Sequence, residues 1–149
     1  MANWCSNCVT IDSKEDTDLY NSFSLWLDDK EDDFTQGWHP DVKGTDEHRA
    51  LFSINTNDED SFNFESKWSP AIDTMVLTAR HYKFSFTLEY EESGCGLYGE
   101  YQYDYEEDSL SVRYLKNVPE WTEENDDSYY DTLESLLQKE EFNIKEINL

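Results

Sequence analysis

Phe84-Ser85-Phe86-Thr87-Leu88-Glu89-Tyr90 decides the fold of this chain. Phe84, Phe86, Leu88 and Tyr90 alternate with polar residues, the period of a strand that buries one face and leaves the other to water. After a turn at Ser93-Gly94-Cys95-Gly96 the alternation returns, with Tyr101, Tyr103 and Tyr105 set against Glu100, Gln102 and Asp104. Leu110, Val112 and Tyr114 make a further strand, and Pro119 ends the meander. Strands in succession on short turns pair antiparallel, with one side left for a core.

Upstream the period changes. Ile72, Met75, Val76 and Ala79 form the stripe of a helix, with Ser69 as its cap and Pro70 in its first turn. Before it, residues 51–55 and 61–65 read as two strands of a hairpin around the polar turn 56–60. Leu19, Phe23, Trp26 and Leu27 mark an earlier helix, for which Ser13 and Asp16 offer a capping box. It runs out in Asp28-Asp29-Lys30-Glu31-Asp32-Asp33, ahead of a polar loop containing Gly37, Pro40 and Gly44. The chain opens with a strand over residues 4–12, Val9 and Ile11 alternating with Thr10 and Asp12. It ends with a helix carrying Tyr129, Leu133, Leu136 and Leu137 on one face, then a short strand within 142–149.

The order is therefore β-α-β-β-α-β, then β-β, then a helix. This predicts an α+β protein of ferredoxin-like (split β-α-β) plan, an antiparallel sheet with a β-β extension and a C-terminal helix. Residues 1–149 read as a single domain, the usual size for one.

Composition narrows the function. Asp and Glu number 35 against 11 Lys and Arg, a formal net charge of −24. Direct binding to nucleic acid or to an anionic membrane needs the opposite sign, so neither is expected. Aromatic residues make up 15% of the chain, which argues for a packed interior over acidic disorder. No window approaches the ~18 to 20 apolar residues of a membrane span, and Met1-Ala2-Asn3-Trp4-Cys5 lacks the basic and apolar regions of a secretory signal. The expected location is the cytoplasm.

Two segments carry a family resemblance. Asn3-Trp4-Cys5-Ser6-Asn7 is similar to the Asn-Trp-Cys-x-Asn opening of the YubB-type ferredoxin-like family. Phe62-Asn63-Phe64-Glu65-Ser66-Lys67-Trp68-Ser69-Pro70, then Leu88-Glu89-Tyr90-Glu91-Glu92 and Gly96-Leu97-Tyr98-Gly99, resembles that family's central region. Ala71 stands where the family usually has a second proline, and its Gly-Thr-Lys-Trp segment has no counterpart here. The resemblance implies a ferredoxin-like fold and a gene of the kind that phages and plasmids carry. It implies no established activity, and "ferredoxin-like" refers to fold, not to an iron–sulfur cluster.

Motifs that carry chemistry do not assemble. Cys5-x-x-Cys8 lies at the start of a strand, not at a helix N-terminus, so its two thiols point to opposite faces. Zinc would need further ligands from Cys95, His39, His48 or His81, none of which forms a second close pair. His81 falls at a helix end, where it suits the helix dipole. Gly94, Gly96 and Gly99 lie between strands and do not cradle a phosphate before a helix. Trp4 and Trp68 read as core residues because apolar alternation flanks them. The Tyr101-Tyr103-Tyr105 ladder reads as covered by the last helix, the alternative being an aromatic binding surface. No catalytic residue, metal or cofactor is expected, and the chain reads as a protein that catalyses nothing.

What remains is the acid. The candidate partner-binding residues are Asp28, Asp29, Glu31, Asp32 and Asp33; Asp104, Glu106, Glu107 and Asp108; and Glu123, Glu124, Asp126 and Asp127. A chain of this length has a radius of gyration near ~15 Å, and the ~40 Å of duplex DNA that matches its diameter holds about two dozen phosphate charges. The expectation is a non-enzymatic acidic interaction protein, encoded by a phage or plasmid. It would inhibit a basic nucleic-acid-binding host protein, a CRISPR or restriction component, by nucleic-acid mimicry. The alternative is an accessory protein-binding domain that uses its sheet face, with acidity serving solubility. Oligomeric state is not legible.

Overall fold

A computed structural model describes residues 3–31, 39, 41–45, 51–92, 94 and 96–149. The elements are β1 (Trp4–Lys14), α1 (Thr17–Asp29), β2 (Phe52–Asp58), β3 (Ser61–Lys67), α2 (Ile72–Tyr82), β4 (Phe84–Glu92), β5 (Leu97–Asp104) and β6 (Ser109–Tyr114), followed by a 3₁₀ segment (Glu123–Ser128), α3 (Tyr129–Gln138) and β7 (Asn143–Lys145). One sheet runs in the order β2-β3-β1-β4-β5-β6-β7, every pair antiparallel. Its first four strands are the split β-α-β unit, and β5, β6 and β7 extend it beyond β4. The expected fold is the observed one.

Strand parity sorts the sheet into two faces. Cys5, Val9 and Ile11 of β1, Phe62 and Phe64 of β3, and Phe84, Phe86 and Leu88 of β4 are buried on one face. Tyr20, Phe23 and Leu27 of α1 and Ile72, Met75, Val76 and Ala79 of α2 belong to the same core. Phe23 lies at its centre, with the rings of Tyr20, Trp26, Phe62, Tyr82 and Phe84 around it. Such pairs contribute roughly 0.5–1.5 kcal/mol each beyond the area they bury. Gly99 of β5 is opposite Tyr90 of β4, and any side chain on it would collide with the Tyr90 hydroxyl. The glycine makes room for that tyrosine.

The last helix lies on the other face. Tyr129, Leu133 and Leu137 of α3 form a second, smaller core with Leu115 and Tyr98. Tyr98 has the parity opposite to Tyr101 and Tyr103. Tyr101 and Tyr103 are thus buried and Tyr105 partly so, but not by α3 as the sequence suggested. Tyr103 stacks on Phe86 at 5.6 Å, Tyr101 packs against Tyr90 at 5.5 Å, and Lys145 of β7 lies over the Tyr101 ring. Leu115 and the 118–121 segment carry the chain round to the second face before α3 begins, so the helix cannot reach the first.

Several local expectations are corrected. Asp16 alone caps α1, its Oδ1 accepting from the Leu19 N–H at 3.0 Å, while Ser13 continues β1 past a bulge after Ile11. α2 starts at Ile72, beyond Ser69 and Pro70, and has no side-chain cap of its own. Its first turn is tied instead by Asn7 of β1, whose Oδ1 accepts from the Ala71 N–H at 3.1 Å. β2 runs on to Asp58, so the hairpin turn is shorter than the polar stretch 56–60. Trp4 and Trp68 are not core residues: they are 45% and 52% exposed. Trp4 shares the parity of Thr10 and Asp12 and projects from the second face, edge-on to Phe52. Trp68 is held outward by a left-handed backbone, φ 69°. Gly37 and Pro40 of the polar loop lie outside the described residues.

Candidate functional site

Antiparallel pairing gathers one set of strand ends on one side of the molecule: the end of β1, the β2–β3 turn, the start of β4 and the β5–β6 turn. That side is an acidic rim. β1 and the start of α1 supply Asp12, Glu15, Asp16 and Asp18; the β2–β3 turn supplies Asp58, Glu59 and Asp60; the β5–β6 turn supplies Asp104, Glu106, Glu107 and Asp108.

Side-chain contacts join these groups. Lys14 pairs with Asp60 at 2.6 Å, and Thr87 donates to Asp12 at 2.8 Å. Glu106 is pushed above the ordinary glutamate range by a hydrogen bond shared with Glu15, and then by that carboxyl's charge. Asp104 Oδ1 accepts from the Glu106 N–H at 3.0 Å, which folds the β5–β6 turn back over the strand. Among the described residues Lys14, Arg80, Lys83 and, at the rim end of β7, Lys145 are cations on this side.

The two acidic turns stand four strand spacings apart, roughly 19 Å. That places on the order of one carboxylate per 2 Å of sheet width. Duplex DNA carries one phosphate charge per about 1.7 Å of axis.

Of the sequence-predicted residues, Asp104, Glu106, Glu107 and Asp108 lie on this rim. Asp108 is partly engaged: its carboxylate takes both Arg80 donors, at 2.9 and 3.0 Å, and the Tyr103 hydroxyl at 2.6 Å. The Arg80 hydrogen bonds, then the Tyr103 one, hold it below the usual aspartate range. Asp28, Asp29 and Glu31 follow α1 toward the edge of the sheet, where Glu31 accepts from the Thr56 backbone at 3.2 Å. Glu123, Glu124, Asp126 and Asp127 occupy the 3₁₀ segment before α3. α3 places Tyr130 against Glu91 near the far end of β4, away from the rim. The structure does not bring the 123–127 group to the rim, whereas Glu31 reaches its edge at Thr56, two residues before Asp58. Asp32 and Asp33 lie outside the described residues.

Asp12, Glu15, Asp16 and Asp18, within one seven-residue stretch, and Asp58, Glu59 and Asp60 of the β2–β3 turn were not among the candidate residues, because only the sheet brings these two stretches beside the β5–β6 turn. Their signal was available: acidic residues at successive strand ends of one antiparallel sheet share a side.

The thiols carry no activation. Cys5 is buried on the core face and Cys8 half-buried on the other, both free. Burial pushes Cys5 up to about 11, and burial followed by the charge of Glu89 raises Cys8. A thiolate nucleophile needs the reverse. His39 is fully buried, its ring tilted at 31° against Trp26 with centroids 4.1 Å apart, and Tyr82 Oη lies 3.0 Å from its Nε2. His81 is exposed in the last turn of α2. Cys95 and His48 lie outside the described residues. Among the described residues no group of three or more His, Cys, Asp or Glu is placed to hold a metal ion, and no helix is long and apolar enough to cross a membrane.

Fold and surface together define a ferredoxin-like α+β protein with an acidic strand-end rim. The chain belongs to the family described as "Ferredoxin-like domain in Api92-like protein", whose model matches residues 47–133, more than half its length. No curated protein and no solved structure matches it.

Proposed function

We propose that the chain is a non-enzymatic interaction protein that uses its acidic rim to occupy the basic groove of a nucleic-acid-binding protein. The single observation that carries the reading is the rim's carboxylate spacing, which is of the same order as the phosphate spacing of a duplex even with Lys14 and Arg80 paired to two of those carboxylates. A cationic groove shaped for phosphates gains from such a surface what it gains from DNA: long-range steering and released counterions. The YubB-type resemblance adds the finer reading that the gene belongs to a phage or plasmid. The partner is then a host defence protein of CRISPR or restriction type, met in the host cytoplasm.

The test is capture from host lysate on the immobilised full chain, at low and at high salt, followed by elution with duplex DNA. The reading expects basic, nucleic-acid-binding proteins that salt and DNA both release. It is lost if the captured proteins are neutral or acidic, or if binding ignores salt.

Exposed Trp4, beside Phe52 on the second sheet face, favours a second reading: an accessory domain that docks a partner through that face. Reversing the charges of Asp104, Glu106, Glu107 and Asp108 together separates the two. Binding survives under the sheet-face reading and fails under the rim reading.

A further inference from the structure

At the end of the sheet away from the rim, the segment after β6 crosses the second face and leaves a cleft of about 430 Å³ against β4 and β5. Leu97, Val118, Pro119 and Leu133 give it an apolar lining. Trp121 lines it too, 54% exposed, its indole fixed by an Nε1–H bond to Asp126 at 2.8 Å. Gly96, Tyr129 and two carboxylates, Glu91 and Glu120, also line it, and among the described residues no lysine or arginine takes part.

Glu91 is the informative member. It is half-buried, and it accepts a hydrogen bond from the Tyr130 hydroxyl at 3.2 Å. No ion pair among the described residues involves it. Burial pushes its carboxyl above the ordinary glutamate range, the mark of a charge short of compensation.

We propose that this cleft takes an arginine side chain of a protein partner. An aliphatic stem matches the apolar lining, a guanidinium plane matches the exposed indole, and its charge matches Glu91 and Glu120. Lysine fits less well, since a compact ammonium is more strongly hydrated and does not stack. An anionic or purely apolar occupant would leave the Glu91 carboxylate uncompensated. The inference rests on the partner being basic, as read above, but it concerns a different surface and is separately testable.

The experiment is an NMR titration of the ¹⁵N-labelled full chain with N-acetyl-arginine amide at near-physiological salt. N-acetyl-lysine amide and N-acetyl-norleucine amide serve as comparison probes. Expected are saturable shifts confined to Glu91, Leu97, Val118 and the Trp121 backbone and indole, with the lysine probe at least fivefold weaker. Glu91→Gln, which keeps the side-chain shape, is expected to weaken the arginine probe at least fivefold. Trp121→Leu provides a second variant should Glu91→Gln not fold.

The inference is overturned if shifts spread over the rim acids without saturating, if the norleucine probe binds as well as arginine, or if the folded variant binds as the parent does. The two readings fail separately. Loss of the arginine site with DNA-releasable capture intact removes the cleft alone; the converse removes the rim proposal and leaves the cleft.

Discussion

Glu15 and Glu106 bring their carboxyls together where the end of β1 meets the β5–β6 turn, and Glu15 is the main cause that holds Glu106 above the ordinary glutamate range. Two like charges this close are eased when one of them, Glu106, keeps its proton to higher pH. The contact shows that the rim's acids crowd one another.

A carboxyl whose folded value is raised favours the folded state below its raised midpoint and opposes it once pH climbs past. Glu15→Gln is therefore expected to bring the Glu106 midpoint down toward the ordinary range and to relieve that opposition at neutral pH. Carboxyl-carbon NMR titration of both chains measures it. An unmoved midpoint would assign the shift to Asp104 and Glu107 instead.

Asn7 links three elements from a fully buried position. Its amide donates to the Cys5 carbonyl at 3.1 Å and to Ser66 Oγ at 2.8 Å, while its oxygen receives the Ala71 N–H. Asn7→Ala removes the partner of the buried Ala71 N–H and one of the two hydrogen bonds of Ser66 Oγ, a loss of roughly 2 to 3 kcal/mol. Urea unfolding is the measurement, and a cost under about 1 kcal/mol would show that water replaces the amide.

His39 is held neutral, its Nδ1 accepting from the Asp41 N–H at 3.2 Å, and burial lowers its pKa from 6.5 to about 4. The unfolded chain gains a proton below pH 6.5 while the folded chain does not. This contribution to stability is therefore complete above 6.5 and drains away as pH falls toward 4, on the order of 3 kcal/mol in all. Acidification also relieves carboxylate repulsion, but equally in the parent and in His39→Gln. The difference between their urea midpoints at pH 7 and pH 4.5 isolates the histidine, and identical slopes would contradict the assignment.

Trp68 keeps a left-handed backbone that costs an L-residue about 1–2 kcal/mol, and half its ring faces water. Trp68→Asn is expected to raise the melting temperature by about 2–4 °C. A fall would mean that the indole's remaining contacts outweigh the strain.

Much of this architecture was legible because it is local. Parity in Phe84, Phe86, Leu88 and Tyr90 names a strand and its buried face without knowledge of any partner. The same parity in β1 already set Trp4 with Thr10 and Asp12 on the outward side, and reading its flanks as apolar obscured this. The α2 start was misread for a different reason. Ser69 and Pro70 fit a helix opening, but Asn7, distant in sequence, supplies the hydrogen bond that a local cap would have made.

Period and composition, which depend on each residue and its near neighbours, determined the order of strands and helices, the aromatic core and the large negative charge. Tertiary structure alone decided which acids adjoin, that α3 covers the face opposite the other helices, and that Glu91 lines a cleft with Trp121. Antiparallel pairing brings distant strand ends to one side whatever their spacing along the chain. No pattern confined to a single segment can encode that meeting.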